Sequence, residues 1–166
     1  MKGDPAIIRT LNAVLTNELT AVNQYFLHAR MFESWGLKHL GKIVYDESIG
    51  EMRHADKLIK RILFLDGLPN MQDLHKLKIG ESCVECLGAD LQLEIDGRAA
   101  QLAAIAQCEA SSDFVSRQIL MEILSDTEEH IDFLEAQFKL IEQLGEQNYL
   151  QSAMTEIATD NSATGG

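Results

Sequence analysis

The sequence predicts an all-α protein: a four-helix bundle with a long crossover between its second and third helices and a short fifth helix. Three observations predict it. Apolar residues recur at three- and four-residue steps through four long segments, the period of one helical face. Only two prolines, Pro5 and Pro69, punctuate the 166 residues, and runs of β-branched residues are absent. The stretch DGLPNMQDLHKLKIG, from 66 to 80, holds Gly, Pro and Asn without any period, and it falls between the second and third periodic segments. Two helical pairs joined by such a connection make a bundle with one long crossover.

The first helix starts at Asp4-Pro5, with Asp as N-cap and Pro at the first helical position. Its stripe is Ile7, Leu11, Val14, Leu15, Leu19 and Val22, and it ends near Gly36. The second begins just beyond, with Leu37, Leu40, Val44, Leu58, Ile62 and Leu65 in phase. The third carries Leu87, Leu91, Leu102 and Ile105. The fourth carries Leu120, Ile123, Leu124, Ile131, Leu134, Phe138 and Ile141, and stops near Gly145. The stretch QNYLQSAMTEI reads as the short fifth helix, which closes one domain over 1–157. The remaining 158–166, polar and Gly-ended, reads as a disordered tail.

The formal charge of −12, from 14 basic against 26 acidic residues, disfavours nucleic acid and anionic membranes and favours cations. The start MKGDPAIIRT is no secretory signal, and no apolar run approaches the ~20 residues that span a bilayer. Three cysteines make no disulfide framework and fit a reducing compartment, so a cytoplasmic protein is expected. The pair Cys83-x-x-Cys86 lacks a nearby second Cys/His pair and reads as ordinary thiols. His28, His39 and His75 read as surface or interface residues, and Phe32 and Trp35 as packing at the first turn.

Each stripe is interrupted at about mid-length by polar residues in phase with the apolar ones. Glu18 follows Leu11 and Leu15; Glu51 and His54 lie between Val44 and Leu58; Glu94 is one turn past Leu91; Thr127 and His130 lie between Leu124 and Leu134. A buried carboxylate is costly unless it is paired or binds a metal. Carboxylates and imidazoles at one level of a core therefore point to a cation. Residues three apart share a helix face, so Glu51 and His54 can hold one ion together. Di-iron bundles use a Glu from each of two helices and Glu-x-x-His from each of the other two. This chain presents Glu18, then Glu51-x-x-His54, then Glu94, then Thr127-x-x-His130. The predicted metal ligands are therefore Glu18, Glu51, His54, Glu94 and His130. Oxygen and nitrogen donors suit Fe(II), Mn(II) or Zn(II).

Thr127 stands where a sixth ligand is expected, and its neutral hydroxyl cannot bridge two metals. Glu128 and Glu129 point ~100° and a further ~100° away around the helix, so neither replaces it. Asp126, four residues before His130, shares roughly its face, but its arm is short. The expected result is a weakened or half-filled iron site. A fully active ferroxidase, completed by Asp126 or a water, is the alternative.

The opening MKGDP, the run NELTAVNQYFLHARMFESWGLK, the run HADKLIKRILFLDGLPNMQDL and NYLQ together resemble the bacterioferritins, within the ferritin-like superfamily. The likeness covers nearly the whole chain. It implies a shell of about two dozen subunits storing ferric mineral, with haem b held between subunit pairs by a methionine from each, matching Met52 here. On the helix Met52 is ~100° from Glu51 and so points away from the bundle centre, and a thioether is a suitable axial ligand to haem iron. The resemblance carries di-iron ligands onto Glu18, Glu51, His54, Glu94 and His130, and implies a glutamate where Thr127 stands. Some relatives have an inner-surface His and Asp where this chain has Asp46 and Gly50, and a Tyr and Trp where it has Leu58 and Phe133; Tyr25 is retained. Together these departures resemble the haem-binding subunit type with a degraded centre, which co-assembles with a ferroxidase-competent bacterioferritin subunit. A small bacterioferritin-associated ferredoxin is the reductant the family implies.

Overall fold

A computed structural model describes residues 1–154. The expected tail from 158 lies outside the described residues. Helix α1 spans Pro5–Ser34, α2 Lys38–Phe64, α3 Cys83–Ala110, α4 Phe114–Leu144 and α5 Glu146–Ala153.

The caps are those the local sequence provides. Asp4 Oδ1 accepts the amide of Ala6 at 2.7 Å, with Pro5 filling the first helical position. Ser82 caps α3 by accepting the Glu85 amide, while Glu85 reaches back to the amide of Glu81. At the other end of α1, the amide of Leu37 bonds the carbonyl of Phe32 and that of Gly36 bonds Glu33. This six-to-one and five-to-two pairing is a Schellman stop, and Gly36 supplies its left-handed residue at φ 84°. The same pairing ends α2 at Asp66–Gly67 and α3 at Ser112–Asp113.

Helix α1 packs against α2 and α3 against α4, and α1 also meets α3 across the bundle. The crossover, 65–82, runs beside α1 and is tied to one face of it at positions four or eight residues apart. Asn12 takes the Leu68 carbonyl and the Asn70 amide, Thr20 the His75 amide, Gln24 the Lys78 amide and His28 the Gly80 amide. His28 is therefore not the surface or interface residue the sequence predicts. It is fully buried, with Nδ1 2.8 Å from Asp90 Oδ1, because its ring fastens the end of the crossover to α3. His39 and His75 are exposed, as expected. A side chain at Gly80 would meet the backbone nitrogen of Cys86 at 2.4 Å, so only glycine allows this close approach.

The interior is divided in two. One apolar cluster gathers Ile7, Leu11, Leu15, Leu58, Ile62, Leu120 and Ile123. The other gathers Tyr25, Phe32, Leu40, Val44, Leu87, Leu134 and Tyr149. Each fully buried aliphatic side chain contributes about 1.5–3 kcal/mol, so both halves stabilise the layer between them. Helix α3 departs from the expected stripe. Its buried face is Leu87, Asp90, Glu94, Gly97, Gln101, Ala104 and Cys108, mostly small or polar, while Leu102 is 41% exposed. Trp35 likewise is exposed, with Phe32 buried beneath it at 6.1 Å between ring centroids.

Candidate metal centre

The layer between the two apolar clusters receives side chains from all four long helices. Helix α1 supplies Glu18, α2 supplies Glu51 and His54, α3 supplies Glu94, and α4 supplies Thr127 and His130. The five expected ligands are each no more than 5% exposed. Met52, one residue past Glu51, is half-exposed on the outside of α2.

Two groups of ligand atoms form inside this layer. In the first, atoms of Glu18, Glu51 and His54 lie within 4.8 Å of one another. His54 Nδ1 is 3.1 Å from Glu18 and 3.2 Å from Glu51. In the second, atoms of Glu47, Glu51 and His130 lie within the same limit. His130 Nδ1 is 2.8 Å from Glu94 Oε1 and 3.7 Å from Glu47 Oε2. Glu94 thus faces His130, and its carboxylate also accepts the hydroxyl of Tyr25. The Tyr25 ring stands edge-on to the His130 ring at 5.3 Å, and Phe133 stacks on that imidazole at 6.2 Å.

Two participants were not among the predicted ligands. Glu47 lies one turn before Glu51 on α2, and that four-residue spacing is the signal that could have found it. Asp126, whose arm looked too short, places Oδ2 2.8 Å from His54 Nε2. Both line a pocket of about 360 Å³ with Asp46, Glu51, Glu129 and His130, so the buried layer opens to one side.

Electrostatics fit a cation-binding layer that holds protons when no metal is there. Burial raises Glu51 well above the usual carboxylate range, and the charge of Glu18 raises it further. Burial also acts to raise Glu18, but hydrogen bonds to Glu51 and His54 outweigh it and leave Glu18 below its ordinary value. For His54, burial opposes the charge, yet hydrogen bonds to Glu18 and Glu51 push it up to about 11. His130 is likewise raised, burial being overcome by Glu94 and then Glu47. A divalent ion among these groups replaces those protons, since ligands bind deprotonated.

The sixth position is closed. Thr127, 2% exposed, accepts a hydrogen bond from Gln101 Nε2 at 3.0 Å, and the same amide reaches Glu18 at 3.3 Å. The Gln101 carbonyl oxygen is buried and has no hydrogen-bond partner among the described residues. Glu128 turns outward to Arg98 at 2.8 Å. The donor set is thus carboxylate and imidazole with no thiolate, which fits Fe(II) and its neighbours. The three cysteines are buried free thiols, with burial the first cause pushing Cys83 up to about 11 and Cys86 up to about 12. For haem, the half-exposed Met52 thioether on the outer face of α2 is a donor of the right kind.

A profile of the Ferritin-like domain matches residues 8–144. The chain is 48% identical to "Bacterioferritin" of Brucella melitensis biotype 1 over 151 residues, 91% of this chain and 94% of that one. It is 46% identical to "Bacterioferritin" of Mycobacterium tuberculosis over 159 residues, 96% of this chain and all of that one. "Bacterioferritin" of Streptomyces coelicolor is 44% identical over 165 residues, 99% of each chain. With helices, crossover and polar layer arranged as above, the chain belongs to the bacterioferritins of the ferritin-like family.

Proposed function

We propose that this chain is an iron-storage subunit of a haem-containing bacterioferritin shell, with an incomplete ferroxidase centre. The single observation that carries the reading is the buried layer itself. Glu18, Glu51 and His54 converge within 4.8 Å, while the place of a further carboxylate on α4 is taken by Thr127. Iron is the cargo. Glu18, Glu51 and His54 hold one ion, and Glu94 and His130 stand opposite.

A ferroxidase centre needs two ions bridged by carboxylates, so that both give electrons to one oxidant. Thr127 offers a neutral oxygen already engaged by Gln101, which removes one bridge. Oxidation by this chain alone is therefore slow. A ferroxidase-competent bacterioferritin subunit in the same shell of about two dozen subunits supplies the fast reaction, and a bacterioferritin-associated ferredoxin supplies electrons for release.

Met52 of two neighbouring subunits holds haem b, which when bound provides one-electron transfer across the shell. Its thioether is half-exposed, where a paired subunit can share the ligand. Assembly is supported by large apolar side chains left on the surface, among them Phe26, Leu27, Leu63, Phe64 and Leu68. No helix of the described residues is long and apolar enough to cross a membrane, and the cytoplasm is the proposed location.

Mixing the purified shell rapidly with Fe(II) and O₂ tests the reading. Ferric absorbance is expected to grow slowly. A fast phase saturating at two Fe(II) per subunit would overturn it.

A further inference from the structure

We infer that Glu47 takes over the anionic ligand role missing at Thr127, so that Glu47, Glu51 and His130 form a second divalent-cation position at the mouth of the pocket. The inference rests on the metal-centre reading above and extends it.

Three observations support it. The ligand atoms of these three residues lie within 4.8 Å of one another, as do those of Glu18, Glu51 and His54, although the His130–Glu47 distance of 3.7 Å is the longer contact. Glu51 belongs to both groups and so links the two positions. His130 turns Nδ1, the nitrogen equivalent to the one His54 turns on its own carboxylates, toward Glu94 at 2.8 Å and Glu47 at 3.7 Å. An imidazole lone pair among three carboxylates is a nitrogen and oxygen donor set for Fe(II), Co(II) or Zn(II).

The origin of Glu47 differs from that of the missing ligand. It comes from α2, one turn before Glu51, rather than from α4. Its side chain is 38% exposed and borders the pocket of about 360 Å³ with Asp46, Asp126 and Glu129. Water reaches this position, so an ion there keeps solvent ligands and exchanges readily. The position holds incoming Fe(II) beside the buried one without the α4 carboxylate that would bridge them. It is thus a loading position and consistent with slow oxidation.

The test is anaerobic titration of the assembled shell with Co(II), following its d–d absorption and heat of binding at near-physiological salt, where diffuse association with the acidic surface is screened. Wild type is expected to bind two Co(II) per subunit in two classes, tight and weak. Glu47→Gln, isosteric and half-exposed, should keep its helical circular dichroism and lose only the weak class. Thr127→Ala should keep both. If wild type binds one ion and Glu47→Gln also binds one, the inference fails while the metal-centre reading stands. It fails in the same way if Glu47→Gln retains two, or if Thr127→Ala loses one. If wild type binds none above surface background, both readings fall together.

Discussion

His54 Nε2 lies 2.8 Å from Oδ2 of Asp126, across the gap between α2 and α4. The carboxylate holds a proton on that nitrogen, so Nδ1, which shares its own proton with Glu18 and Glu51 here, is the nitrogen left to bind an ion that displaces that proton. A partner of this kind orients the ligand and raises its basicity. Asp126→Ala should therefore weaken the metal position at Glu18, Glu51 and His54 by roughly 10–100-fold, toward the low end because Asp126 is largely exposed. Co(II) affinity measured by titration checks this. Unchanged affinity would show that the bundle alone orients the ring.

Thr127→Glu places a carboxylate on α4 within the buried layer. The new side chain displaces the hydrogen bond between Thr127 and Gln101, a modest loss beside the gain of an anionic ligand. A fast ferroxidase phase saturating at two Fe(II) per subunit is expected in stopped-flow absorbance. An unchanged rate would mean that Thr127 is not what limits oxidation.

Met52→Ala should abolish the absorption of haem held by two thioethers, with the shell and its metal centre unaffected. The side chain is half-exposed and lies outside both apolar clusters, so its removal leaves no cavity in the core. Retention of the spectrum would assign the axial ligand elsewhere.

Asp113 gives a pH-dependent contribution to stability. It caps α4, accepting the Ser116 amide at 3.0 Å and the Arg61 guanidinium at 2.7 Å. Burial acts to raise it, but the bonds from Ser116 and Arg61 hold it below its ordinary 3.8. A depressed folded value stabilises the fold above the unfolded pKa and is lost as pH falls through the folded one. Asp113→Ala should cost about 0.5–2 kcal/mol at neutral pH, and the gap to wild type should close in strongly acidic urea titrations. A gap independent of pH would contradict the assignment.

Much of this was legible in the sequence, for identifiable reasons. Asp4-Pro5 and Gly36 mark the ends of α1 through local backbone chemistry, and the polar residues of the layer stand in phase with apolar ones. Helix α3 was the least legible, because its buried face is built from Asp90, Glu94, Gly97, Gln101, Ala104 and Cys108. A stripe drawn through large apolar residues therefore took in the exposed Leu102. His28 and Gln24 were hidden for another reason. Their partners include backbone amides of the aperiodic crossover, and no spacing announces such a bond. Glu47 and Asp126 left weaker marks, a four-residue spacing from Glu51 and a short arm near the face of His130, because each lines the open side of the layer where solvated carboxylates are the ordinary expectation.

The convergence of Glu18, Glu51 and His54 is the claim on which iron storage by this chain depends. Anomalous diffraction at the iron edge, from crystals soaked anaerobically in Fe(II), measures it most directly. A peak enclosed by those three side chains, inside the bundle, is the predicted result. Iron bound only to surface carboxylates, with the interior layer bare at saturating Fe(II), would contradict it.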